Sequence, residues 1–131
     1  MADYTMLNLR GDVEDMAEGF GYAPNVEARF ARKPLQLEKS GVSYFKIAPG
    51  FRFPFGHRHG EQEEVYLVLS GGARMKLEDE IVELGPMDAV RVPAATTRGL
   101  EAGPEGAEIV AFGAPNTDSK DVEMDPGFWP D

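Results

Sequence analysis

Short apolar runs broken by glycine and proline constrain this chain more than any other feature. Val42-Ser-Tyr-Phe-Lys-Ile47 is stopped by Pro49-Gly50. Val65 to Leu69, Ala73 to Leu77, Ile81 to Leu84, Ala89 to Val92 and Ala107 to Phe112 follow. Strands recurring roughly every eight to twelve residues with such punctuation predict an all-β sandwich or barrel. Gly71-Gly72 reads as a turn after Leu69. Ala73 to Leu77 and Ile81 to Leu84 read as a hairpin around Glu78-Asp79-Glu80, with Asp79 the residue best suited to a positive φ. Glu101 to Gly106 reads as the loop before the last strand. Upstream, Val26 to Ala31 reads as a strand lying against the barrel. A short helix is expected over Asp12 to Glu18, with Asp12 at its N-cap and Gly19 and Gly21 ending it.

The chain has 131 residues, 42% of them apolar, which suffices for one domain with a packed core. There is no cysteine, so disulfides and thiolate ligands are excluded and a reducing compartment fits. The start, Met1-Ala-Asp-Tyr-Thr-Met6, carries no basic-then-apolar leader, and no apolar run reaches membrane-spanning length. A soluble cytoplasmic protein is the expectation. The formal net charge of −10 makes nucleic acid and anionic membranes poor partners.

The chemistry concentrates in Gly50 to Gly71. This run holds the only two histidines, His57 and His59. Side chains two apart on a strand share a face, roughly 7 Å apart at Cα, so both imidazoles can reach one metal ion. Glu64 opens the next apolar run and adds a carboxylate. Two histidines and one carboxylate form the ligand set of many mononuclear metal centres.

The same run resembles the first motif of the cupin family: a glycine, His-x-His, a glutamate and a later glycine. Four residues separate His59 from Glu64 and six separate Glu64 from Gly71, both as in the family. The gap from Gly50 to His57 is one residue longer. Leu84 to Arg98 resembles the second motif, with Asp88, Pro93 and Ala95 in place. Met87 stands where the motif has glycine, and Arg98 where it has the fourth metal ligand, a histidine. Guanidinium has no lone pair to offer a metal. The resemblance, over residues 40 to 113, implies a double-stranded β-helix (jelly-roll) barrel. It also implies at most three ligands, His57, His59 and Glu64, for a divalent Zn, Mn, Fe or Ni, and a homodimer.

Around these ligands several roles stay open. Phe51, Phe53 and Phe55 alternate into His57. Phe53 and Phe55 share the His57 face if the strand is unbroken, either as core or as the wall of a ligand pocket. Tyr66 shares a face with Glu64, lining the cavity or packing. Arg98, expected at the cavity mouth, binds an anionic ligand group, pairs with Glu64, or turns to solvent. Arg58, between the histidines, is expected on the surface. The ending Pro126-Gly-Phe128-Trp129-Pro-Asp131 pairs two large aromatics in a polar tail, which predicts docking on the barrel or on a partner subunit.

The organisation expected is an N-terminal segment over 1–39, a barrel over 40–113 and a tail over 114–131, all one domain. Two function classes fit. One is a barrel binding a small, anionic molecule over a reduced metal site. The other is a metal-dependent enzyme, a dioxygenase or isomerase, using the two-His one-Glu set.

Overall fold

The computed structural model describes residues 1–130 and contains one curled eight-stranded antiparallel sheet, a double-stranded β-helix barrel. The strands are β1 (Val26–Phe30), β2 (Gly41–Ile47), β3 (Gly56–His59), β4 (Glu63–Leu77), β5 (Glu80–Leu84), β6 (Ala89–Val92), β7 (Arg98–Ala114) and β8 (Val122–Asp125). One path across the sheet runs β1-β2-β7-β3-β8, and β4 pairs with β5, β6 and β7. No helix among the described residues is long and apolar enough to cross a membrane.

The long strands β4 and β7 form the spine, and each absorbs a segment the sequence reads as a turn or loop. Gly71-Gly72 does not reverse the chain, and neither does Glu101 to Gly106; β4 and β7 run straight through. The reason lies in side-chain parity. In β4 the buried positions are Tyr66 and Val68, then Ala73 and Met75. In β7 they are Leu100 and Ala102, then Ala107, Ile109 and Ala111. A strict period of two would turn one half of each strand outward. Register shifts between Val68 and Ser70 and between Gly71 and Ala73 insert the residues that reset the phase. Both halves then face one interior. Gly71 and Gly106, at φ 73° and 77°, make the bend. A Cβ on Gly71 would lie 2.0 Å from the Gly106 carbonyl oxygen, so the two backbones meet where only glycine fits.

The hairpin from β4 to β5 forms as expected, but Glu78 and not Asp79 takes the positive φ, at 51°. Contacts outside the hairpin hold it there. Glu78 donates its backbone N–H to the Thr97 carbonyl, and its carboxylate accepts the Thr97 N–H, each at 2.9 Å.

The N-terminal helix over Asp12 to Glu18 does not form. Asp15 instead makes a β-bridge with Arg29 and accepts the backbone N–H groups of Ala17 and Ala28 at 3.0 and 2.9 Å. One of these donors, Ala28, lies thirteen residues away in β1, and that holds the segment extended. Among the described residues, the helical elements are one 3-10 turn over Glu18–Phe20, closed by Gly21 at φ 81°, and α1 over Arg32–Leu35. The core lies between the sheet's two halves, around Ile47, Val68, Met75, Val92 and Ile109, all nearly solvent-free.

The C-terminal tail docks on the barrel. β8 pairs antiparallel with the whole of β3. Phe128 is buried over Gly56 and Gly99, where an added Cβ would come within 2.4 and 3.0 Å of its ring. Trp129 donates its indole N–H to the Phe53 carbonyl at 3.0 Å, and Arg52 stacks 4.1 Å from its ring centroid. Lys76 Nζ lies 3.6 Å from the Phe128 ring centroid.

Candidate metal and ligand site

β3 places His57 and His59 on the inner face, as their spacing predicts. β4 brings Glu64 in from the neighbouring side. The possible ligand atoms of these three residues all lie within 4.8 Å of one another. They converge on one atom, Glu64 Oε1. His57 Nε2 is 3.7 Å from it and His59 Nε2 is 3.3 Å away. The Tyr66 hydroxyl donates to it at 2.8 Å, and Arg98 Nη1 donates at 2.9 Å.

Arg98 is therefore at the floor of the cavity and not at its mouth. Its β7 position faces His57 across the β3–β7 pairing, and it is 1% exposed. Of the three roles open to it, the pair with Glu64 is the one formed. Its Nη2 donates to the Pro93 carbonyl at 2.7 Å, while its buried Nε has no hydrogen-bond partner. Tyr66 is both packed and part of the floor.

The charges follow from these contacts. Burial alone would raise the Glu64 carboxyl, but the neighbouring His57 and His59 rings and the Tyr66 hydroxyl hold it well below the usual carboxylate range, so it is ionised. Burial pushes the Tyr66 hydroxyl well above its ordinary value, and the Glu64 charge pushes the same way. For His59, burial acts downward, yet Glu64 and Asp121 on its two sides carry the net shift upward.

Asp121 is the residue of this cluster that the sequence reading missed. It lies just before β8 and accepts from His59 Nδ1 at 3.0 Å. Its own carboxylate is fixed by Thr117 and by the backbone N–H groups of Glu61 and Gln62. Despite some burial, those donors hold Asp121 well below the usual carboxylate range. With Nδ1–H directed at Asp121, a neutral His59 ring turns its Nε2 lone pair toward the Glu64 carboxylate. That nitrogen is buried and close to Glu64 but is not aligned with it as a hydrogen bond. A lone pair opposite a carboxylate repels it unless a cation or a proton sits between.

Above the floor opens a cavity of roughly 770 Å³. Phe53 and Phe55 both line it, although the strand breaks at Pro54 and β3 begins only at Gly56. Tyr22 packs among them, 5.4 Å from Phe53 and 6.3 Å from Phe55 between ring centroids. Arg58 points outward and pairs with Glu123, as expected for a surface charge.

Comparison with known proteins decides the family. The cupin domain model matches residues 43–112, more than half of the chain. The chain belongs to the cupin family. This cupin is similar in fold to a cupin protein from Bacteroides fragilis, at TM-score 0.71 and 21% identity, covering 89% of this chain and 88% of that one. It is similar to KdgF from Halomonas sp., at TM-score 0.70 and 19% identity, over 90% and 98% of the two chains. Oxalate decarboxylase from Bacillus subtilis gives TM-score 0.74 at 18% identity, over 94% of this cupin and 33% of that chain. At these identities the likeness is one of fold. No functionally curated protein matches the sequence.

The donor set of this cupin fits a divalent ion. Two imidazoles and a carboxylate converge, one imidazole is oriented from behind by Asp121, and its inward nitrogen lacks a hydrogen-bond partner.

Proposed function

We propose that this cupin binds a small organic anion over a metal centre held by His57, His59 and Glu64. The observation that carries the reading is the convergence of both imidazole Nε2 atoms on Glu64 Oε1, at 3.7 and 3.3 Å. The donor types suit Zn, Mn, Fe or Ni. A bound divalent ion would supply Lewis-acid polarisation of a ligand oxygen.

The chain's own residues do the rest. Asp121 holds the His59 ring and its tautomer. Tyr66 steadies Glu64 through its hydroxyl. Arg98 keeps one positive charge beside the carboxylate and competes with a metal for Glu64. Arg98 lines the cavity and is the cation for the acidic group of a ligand. Phe53 and Phe55 form the wall. In this reading residues 1–39, 40–113 and 114–131 work as one domain, with Asp121 from the tail behind a barrel ligand.

We place the protein in the cytoplasm as a homodimer. Tyr4, Met6, Phe20 and Phe30 are exposed, a cost in water that a subunit contact would relieve. A monomer by light scattering would overturn the assembly. Turnover is the second reading, as a dioxygenase or isomerase, because three protein ligands leave coordination positions for substrate.

Elemental analysis of freshly purified protein tests the centre. Near-stoichiometric metal is expected, and the His57→Ala, His59→Ala double variant should retain its fold and lose that metal. Unchanged metal in the double variant would remove the assignment.

A further inference from the structure

The cavity above the floor has a composition of its own. His57, His59, Glu64, Tyr66 and Arg98 converge at the bottom, and Ser43, Gln62, Asn116, Asp118 and Ser119 add polar groups elsewhere in the lining. The walls are Tyr22, Phe45, Phe53, Phe55, Met75 and Leu100. The rings of Tyr22, Phe53 and Phe55 contact one another at 5.4 to 6.3 Å, an interlocked aromatic face. Glu14, Lys33 and Asp118 are at exposed positions, and Arg32 pairs with Asp118 at 3.1 Å, although its buried Nε has no hydrogen-bond partner.

A polyol or sugar acid needs donors and acceptors spread around its body, and the face of Tyr22, Phe53 and Phe55 offers only the Tyr22 hydroxyl. A compact diacid would use the floor and leave most of roughly 770 Å³ unfilled. A cavity of this size suits a drug-sized molecule, and its apolar lining rewards an apolar one. The floor sets the other end of the ligand. Arg98 Nε and His59 Nε2 are buried there without hydrogen-bond partners. A divalent ion and Arg98 together outweigh Glu64 and Asp121 by one charge, which leaves room for one anionic head.

We propose that the ligand of this site is an aromatic monoanion, its acidic head on the floor and its hydrocarbon body along the wall of Tyr22, Phe53 and Phe55. The proposal rests on the reading that metal and Arg98 share the floor, and the test separates the two. Calorimetric titration of the zinc-loaded protein would compare 2-naphthoate with oxalate and galacturonate, with bound zinc measured on the same samples. The naphthoate should bind about tenfold tighter or better than either, and 2-naphthalenemethanol, which lacks the charge, about tenfold weaker than the naphthoate. Phe55→Ala, checked for fold by circular dichroism, should weaken naphthoate about tenfold. Phe53→Ala gives the same reading if the first variant does not fold. Tighter binding of oxalate or galacturonate would overturn the ligand class, and so would naphthoate affinity indifferent to both phenylalanines. Zinc bound at full stoichiometry with no preference for naphthoate would sink the ligand class and leave the metal reading standing. Wall-dependent naphthoate binding to protein that takes up no zinc would do the reverse.

Discussion

Glu64 Oε1 is the atom at which two imidazoles, a phenol and a guanidinium meet. Behind it, the hydrogen bond between Asp121 and His59 Nδ1 decides which imidazole nitrogen faces the cavity. Asp121→Ala should therefore lower divalent-metal affinity by about 10- to 100-fold, read by competition with a chromogenic chelator, with far-UV circular dichroism unchanged. An affinity equal to wild type would show Asp121 to be only a loop anchor. His57, His59 and Glu64 were legible in the sequence because their relation is local, a matter of parity and a short spacing. Asp121 was not, being 62 residues from His59. Its only trace is the alternation of Val122 and Met124 just after it, a faint strand signal in a polar tail. A second residue-scale departure has a physical measure. Met87 stands where the cupin motif has glycine, and it adopts φ 70° with 72% of its surface exposed. A side chain there is strained and packs little. Met87→Gly should raise the stability by about 0.5–1 kcal/mol, less the extra chain entropy glycine brings to the unfolded state. A lower urea midpoint in that variant would contradict the account.

At the scale of elements, the barrel depends on two bent strands whose bends coincide. Gly71 and Gly106 lie back to back, so the phase resets in β4 and β7 occur at one level of the sheet. Gly71→Ala needs both a left-handed alanine and a carbonyl moved out of its way, and should cost roughly 2–4 kcal/mol by chemical denaturation. A loss under 0.5 kcal/mol would mean the close approach is easily relieved. The sequence predicted most of the strands, but not β8, not the Arg98–Ala102 part of β7, and not that Val65–Leu69 continues into Ala73–Leu77. Gly-Gly and Gly-Pro mark bulges as readily as turns, and the distinction lies only in the flanking apolar positions. Even-numbered Tyr66 and Val68 give way to odd-numbered Ala73 and Met75, as expected when a strand continues with its phase reset. The missed helix has a similar cause. Asp15 spends its carboxylate on the backbone N–H groups of Ala17 and Ala28, and the second of these comes from β1, a partner local spacing does not indicate.

For the molecule as a whole, charge and fold pull in opposite directions as pH falls. From pH 7 toward the pI near 4.6, protonation relieves the repulsion of a −10 chain. Below that, the held carboxylates dominate. Backbone N–H groups of Ala28 and Ala17 keep Asp15 low, and the Tyr44 hydroxyl keeps Glu108 low. A carboxyl depressed in the fold takes up its proton first in the unfolded chain, so its contribution is whole above the unfolded value and lost through the folded one. The urea midpoint should hold or rise slightly down to about pH 5 and fall steeply below about pH 4. A midpoint flat from pH 5 to pH 3 would deny these carboxylates any part in stability. The tail adds a consequence of another kind. β8 borders all of β3, whereas β7 meets β3 only at the pairing of His57 with Arg98, and Asp121 leads into β8. A protease cut between Ala114 and Asp121 would spare every residue of the cupin match and still leave the histidine strand without its flank. The integrity of the centre thus reports on the continuity of a segment that contributes no ligand to it.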